Sequence, residues 1–400
     1  MEKSTHAPSG TPTPLPPDLE ARFDTPIDRR ATHSSKWDKY RAEDDVLPFW
    51  VADMDLPTPP FALEAVRERL NHPILGYTNV PDDLVDAFCA WLDRRYGWCV
   101  QPEWLTWVSG VVPGLETATR SVCEPADPLL LQPPVYYPFL SVPRHSGTTR
   151  YDAPLVRDGD SWVMDLDALR HRCAHTRIGR PRALLFCNPQ NPTGRCFSRA
   201  ELAALGDIAA AEDLVVISDE IHCELLLDKA AHVPLASLSD DLAQRTITLM
   251  APSKTYNLPG LSCAVAIIPD AQLRTRFRSA RGGMVSTPGT LAYAAATACY
   301  QANDDYLDAL RTYLRRNRDR LAGILGRRAV CPEGTYLTWI DVRDLGLEAP
   351  GRWFEERGLG LSDGAPFGAP GFVRFNFGCS RPLLERGIER WTAALAGAAG

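Results

Sequence analysis

Three polar residues stand at the ends of apolar runs, where their chemistry could be used. Asn188 follows residues 182–187 (RALLFC), Asp219 follows 214–218 (LVVIS), and Lys254 lies four residues beyond 246–250 (TITLM). A lysine at the rim of a largely buried sheet gives up solvation, which lowers its pKa and favours the neutral amine that attacks a carbonyl. Such a lysine can form a Schiff base. A carboxylate on a neighbouring strand suits the protonated nitrogen of a pyridine-type ring, which it keeps effective as an electron sink. An asparagine at the same edge can donate to a phenolate oxygen.

These residues need a sheet to bring them together, and the pattern supplies one. The runs at 182–187, 214–218, 246–250 and 264–268 read as buried strands, separated by segments of helical periodicity. Ser198 precedes Glu201 by three residues, a capping-box spacing, and Leu202, Leu205, Ile208 and Ala209 then line one helix face. Strands alternating with helices predict a sheet with many parallel members, covered on both faces, whose ligands bind beyond the carboxyl ends of the strands. Helices are also predicted over 61–70 and 84–96. After Ala292 the pattern turns helical (Tyr306, Leu307, Leu310, Tyr313, Leu314, Leu321, Ile324, Leu325) and ends with strands at 335–342 and 372–377 and a helix from Leu383. A second, smaller α+β domain is expected there. Residues 1–22, with Pro12, Pro14, Pro16 and Pro17 among small polar residues, are expected to form a mobile tail.

Composition narrows the class. Four hundred residues with 45% hydrophobic content fit about two domains with a large core. A formal net charge of -7 and scattered basic residues argue against nucleic acid or anionic lipid as partners. No run approaches a spanning helix, and the first residues lack an apolar signal region, so a cytoplasmic protein is expected. The eleven cysteines show no metal-ligand spacing and are expected to be reduced. Only five lysines occur (Lys3, Lys36, Lys39, Lys229 and Lys254), which leaves few candidates for lysine chemistry.

CNPQNPTGR at 187–195, SDEIHC at 218–223 and APSKTYN at 251–257 resemble the ordered signature of fold-type I pyridoxal phosphate enzymes. FWVADMD at 49–55, GVVP at 110–113 and PVYYPF at 134–139 are similar to the MalY/PatB-like cystathionine beta-lyase group of the aminotransferase class I/II superfamily. The resemblance covers nearly everything from Phe23 onward. It implies an α/β fold with a large, mixed, mostly parallel seven-stranded sheet domain at 58–292 and a smaller α+β domain from 23–57 plus 293–400. It makes Lys254 the Schiff-base lysine, Asp219 the partner of the ring nitrogen and Asn188 the donor to the phenolate oxygen. His222 stands where many relatives have a tyrosine, and Tyr136 is the aromatic stacked on the ring. The phosphate would meet the N–H groups of Val111 and Val112 at a helix start, with Ser253 adding a hydroxyl. Tyr77 resembles a tyrosine that reaches the partner subunit's phosphate, which implies a homodimer with shared sites. Arg374 matches the arginine for the substrate carboxylate. No metal is implied.

Three positions depart from relatives. Ser262 stands where many aminotransferases have a phosphate-binding arginine, Ala251 where they have serine, and Gln190 where lyases of this group often have histidine. The reaction the resemblance implies is β-elimination from an S-substituted L-cysteine, giving thiol, pyruvate and ammonia, with a biosynthetic setting possible. An aminotransferase or a decarboxylating oxidase would use the same cofactor residues. A regulator-binding role is the non-enzymatic alternative.

Overall fold

The computed structural model describes residues 17–43, 45–159, 161–174, 179–228 and 231–398. The apolar runs do become strands. Its central sheet contains β1 Leu105–Val108, β2 Pro128–Leu131, β3 Thr149–Asp152, β4 Ala183–Cys187, β5 Val215–Asp219, β6 Thr246–Met250 and β7 Ala264–Ile267. Their spatial order is β1-β7-β6-β5-β4-β2-β3, and β7 alone runs antiparallel to its neighbours. Every residue of β4 and β6 is buried. Helices cover both faces, which is why these strands are unbroken apolar runs with no polar alternation.

The strands β1, β2 and β3 escaped the sequence reading. Each is four residues long, β2 begins with a proline and β3 (TRYD) is mostly polar; β7 is as short, but its apolar run continues through Ile268. The helices were plainer. Pro60–Leu70 and Asp82–Tyr96 match their predicted ranges, and the latter stops at Gly97, whose left-handed φ of 62° closes the last turn. Ser198 and Glu201 form a complete capping box ahead of Arg199–Ala211.

Beyond the sheet, Leu337–Asp341, Phe372–Asn376 and Ser362–Asp363 form a three-stranded antiparallel sheet. The long helix Asp305–Leu325 buries Tyr306, Leu310, Tyr313 and Leu314, the face its periodicity predicts. Chain from near the N-terminus joins the same core: Phe23 is fully buried against Tyr306 and Tyr313. This corrects part of the expected tail, because Pro17–Asp24 is a helix anchored by Phe23. Residues 1–16, and the lysines Lys3 and Lys229, lie outside the described residues.

Candidate active site

The parallel register of β4, β5 and β6 sets their carboxyl ends side by side, with Cys187 opposite Asp219 and Asp219 opposite Leu249. Lys254 follows β6 in a tight turn. Across from these ends begins the helix Val111–Val122, which lies close on the sheet because Gly114 has no side chain: a Cβ there would stand 2.9 Å from Leu249 Cδ2. Between helix start and strand ends is a cavity of about 380 Å³ lined by Val111, Val112, Tyr136, Asp219, His222, Ser253 and Lys254 among others. Seven of the sequence-predicted residues therefore share one pocket.

Their electrostatics follow from burial. Asp219 has an Oδ1 that accepts the Ile221 N–H at 3.0 Å, but loss of solvent pushes its pKa up to about 7. Burial lowers Lys254 to about 8, against the pull of Asp53 and Asp219. Its Nζ donates to the carbonyl of Ala52 at 2.6 Å. His222 is held neutral, its pKa brought down to about 3 by burial and by the cations Lys254 and Arg374. Its Nδ1 is buried with no partner among the described residues. At the helix start, Gly110 offers no side-chain cap, so the first N–H groups are free to meet an anion.

Arg374 is buried beside this pocket. Its Nη1 donates to Asn191 Oδ1 at 2.7 Å and its Nη2 to the Trp50 carbonyl at 2.7 Å, while the guanidinium sits 4.7 Å from the Phe367 ring. Burial lowers its pKa to about 10, and Nε is left without a partner. Tyr77 behaves differently from the rest: it is fully exposed, beside the exposed Ile74 and Leu75, and lines no part of this pocket.

One expected residue is displaced. Asn188 is buried, but its Oδ1 accepts the Phe197 N–H at 3.1 Å and it does not line the cavity. The asparagine at the pocket is Asn191, three residues further on. The sequence carried a signal for this, since 188–192 contains two Asn–Pro pairs and the second stands farther past the strand end. The departures sort themselves likewise: Ala251 and Ser262 line the cavity, whereas Gln190 braces its loop by donating to the Pro134 carbonyl and accepting from Thr193.

A lysine and an aspartate at the carboxyl edge of a mostly parallel seven-stranded sheet, facing an uncapped helix start, define a fold-type I pyridoxal phosphate enzyme. The donor set fits that cofactor: His222 Nδ1 is a buried, unpartnered polar atom at the cavity, and Tyr136 supplies a flat wall. The chain belongs to the aminotransferase class I and II family, whose pattern matches residues 44–390. It is 37% identical to the cystathionine beta-lyase PatB of Bacillus subtilis (strain 168) over 93% of this chain and 99% of that one. The solved structure of OvoB superposes with a TM-score of 0.90 at 43% identity, covering 93% of this chain and 98% of the other. Cystalysin from Treponema denticola, solved with pyridoxal 5'-phosphate, superposes at 0.89 with 30% identity, covering 94% and 98%.

Proposed function

We propose that this protein is a pyridoxal phosphate-dependent carbon–sulfur β-lyase acting on an S-substituted L-cysteine. The observation that carries the reading is the shared pocket of Lys254 and Asp219, with Arg374 beside it. Residues 58–292 would form the cofactor domain, with 23–57 and 293–400 completing the second domain.

Lys254 would hold the cofactor covalently, Asp219 would partner the ring nitrogen and Tyr136 would wall the ring face. Asn191 and His222 would serve the ring's polar edge, and Val111, Val112 and Ser253 would receive the phosphate. Pyridoxal phosphate, when bound, supplies the electron sink for the pair left when the α proton departs. Arg374 grips the substrate carboxylate through its planar fork and so turns the α C–H toward Lys254. Lys254 Nζ, freed when the substrate's amine takes its place, accepts that proton; burial lowers its pKa to about 8, so about half of the amine is neutral at that pH. The carbon–sulfur bond then breaks, sulfur leaves with the bonding pair, and hydrolysis gives thiol, pyruvate and ammonia. Tyr77, exposed with Ile74 and Leu75, is read as a contact to the phosphate of a second copy, in a homodimer with shared sites. Cystathionine-like conjugates are the expected substrates and the cytoplasm the expected location.

The test is a panel of S-substituted cysteines given to the purified holoenzyme with no added 2-oxo acid. Thiol, pyruvate and ammonia should appear in equal amounts. A strict requirement for a 2-oxo acid acceptor would make the protein a transaminase and overturn the proposal.

A further inference from the structure

One stretch of irregular chain meets both Lys254 and Arg374, and side chains hold it in place. From Trp50 to Met54 each successive carbonyl accepts from at least one of them. Trp50 accepts from Arg374 at 2.7 Å, Val51 from Asn376 at 2.6 Å, and Ala52 from both Lys254 at 2.6 Å and Tyr336 at 3.0 Å. Asp53 accepts from Asn376 at 2.7 Å and Met54 from Asn257 at 2.9 Å. Asn257, three residues past Lys254, also takes the Met54 N–H on its Oδ1 and donates to the Leu56 carbonyl, so it stitches the lysine loop to this stretch. The carboxylates of Asp53 and Asp55 are fixed in turn by Arg29 and Lys36.

Backbone outside helices and sheets usually satisfies its carbonyls with turns or water. Here the carbonyls are committed in sequence, those of Trp50, Ala52, Asp53 and Met54 each to two side chains, and the one offered to the catalytic lysine is shared with Tyr336. A neutral amine has two N–H bonds and one lone pair, so anchoring an N–H limits the directions in which the lone pair can point. Tyr336 is 1% exposed, and its hydroxyl donates to that same Ala52 oxygen. We infer that the Ala52 carbonyl is the docking point that aims the free amine of Lys254, and that Tyr336 is the positioning residue that fixes this carbonyl. The inference deepens the lyase reading and rests on it.

Tyr336→Phe is the test. It keeps the ring beside His222, and Lys254 still donates to Ala52, so no buried acceptor is orphaned and the fold should hold. The holoenzyme variant is expected to lose about ten- to a hundredfold in kcat, with KM moving far less, because a misaimed base fails in the transition state. The isotope effect from α-deuterated substrate should rise, since proton removal becomes the slower step. Cofactor-free variant should also take up pyridoxal phosphate about tenfold more slowly, followed by the absorbance of the protein-bound cofactor. An unchanged isotope effect and uptake rate, with only a lowered melting temperature, would make Tyr336 a packing residue and overturn the inference. Wild-type protein that takes up the cofactor but releases no thiol would instead remove the lyase reading, and the uptake comparison would still decide the role of Tyr336.

Discussion

Arg374 and Asn191 are bonded to one another at 2.7 Å although 183 residues separate them. The pair ties the C-terminal three-stranded sheet to the loop after β4, and it fixes the guanidinium in one orientation before any substrate arrives. Preorganisation of this kind removes an ordering cost from binding.

Removing the guanidinium should therefore cost substrate binding heavily. Arg374→Gln is expected to raise KM for an amino acid substrate by about thirtyfold or more, the scale for truncating one partner of a buried charged pair. Arg374→Lys keeps the charge without the fork and should recover only part of the loss. Steady-state kinetics on the two variants checks both statements.

The buried titrating groups make opposite contributions to stability in the cofactor-free protein. Asp219 has a folded pKa of about 7 against an ordinary 3.8, so between these values the unfolded chain loses the proton first and stability falls as pH rises. His222 has a folded pKa of about 3 against 6.5, so its contribution is present above 6.5 and is lost as pH falls toward 3. Asp219→Asn should then melt higher than wild type at pH 8, with the gap closing near pH 4. His222→Phe should flatten the acid-side loss. Thermal melts from pH 3 to 8 read both, and a gap for Asp219→Asn that does not depend on pH would count against this assignment.

The proposed homodimer with shared sites predicts complementation between damaged subunits. Lys254→Ala homodimers should lack bound cofactor absorbance, and Tyr77→Ala homodimers should hold the cofactor weakly. Mixed dimers place both defects in one site and leave the other intact, so random mixing should restore about a quarter of wild-type activity. No recovery on mixing would mean that Tyr77 serves its own subunit or none.

Gly194 closes the loop that carries Asn191. It has a φ of +71°, and a Cβ there would collide with Pro332 Cβ and stand 2.9 Å from Pro332 Cα. Gly194→Ala combines strain in the left-handed region with overpacking and should cost roughly 3 kcal/mol or more. Denaturant titration of the variant would show this as a lower midpoint.

Much of this site was legible because its residues end strands, and strands of unbroken apolar residues announce themselves. Asp219 and Lys254 fell where the pattern placed them. Asn188 did not, because which of two asparagines passes the sheet edge depends on the path of a proline-containing loop that periodicity does not describe. Tyr336 and Ala52 were invisible for another reason. Their roles arise from hydrogen bonds that span 202 residues between Lys254 and Ala52 and 284 between Tyr336 and Ala52, which no local pattern reveals.

The stretch from Trp50 to Met54 is fastened on one side by Arg374 and Asn376 and on the other by Lys254 and Asn257. It thus bridges the two sheets. Were the C-terminal sheet to swing when a substrate carboxylate arrives at Arg374, the oxygen that steers the lysine would travel with it, so recognition at one end of an amino acid and readiness of the base at its centre would be a single mechanical event.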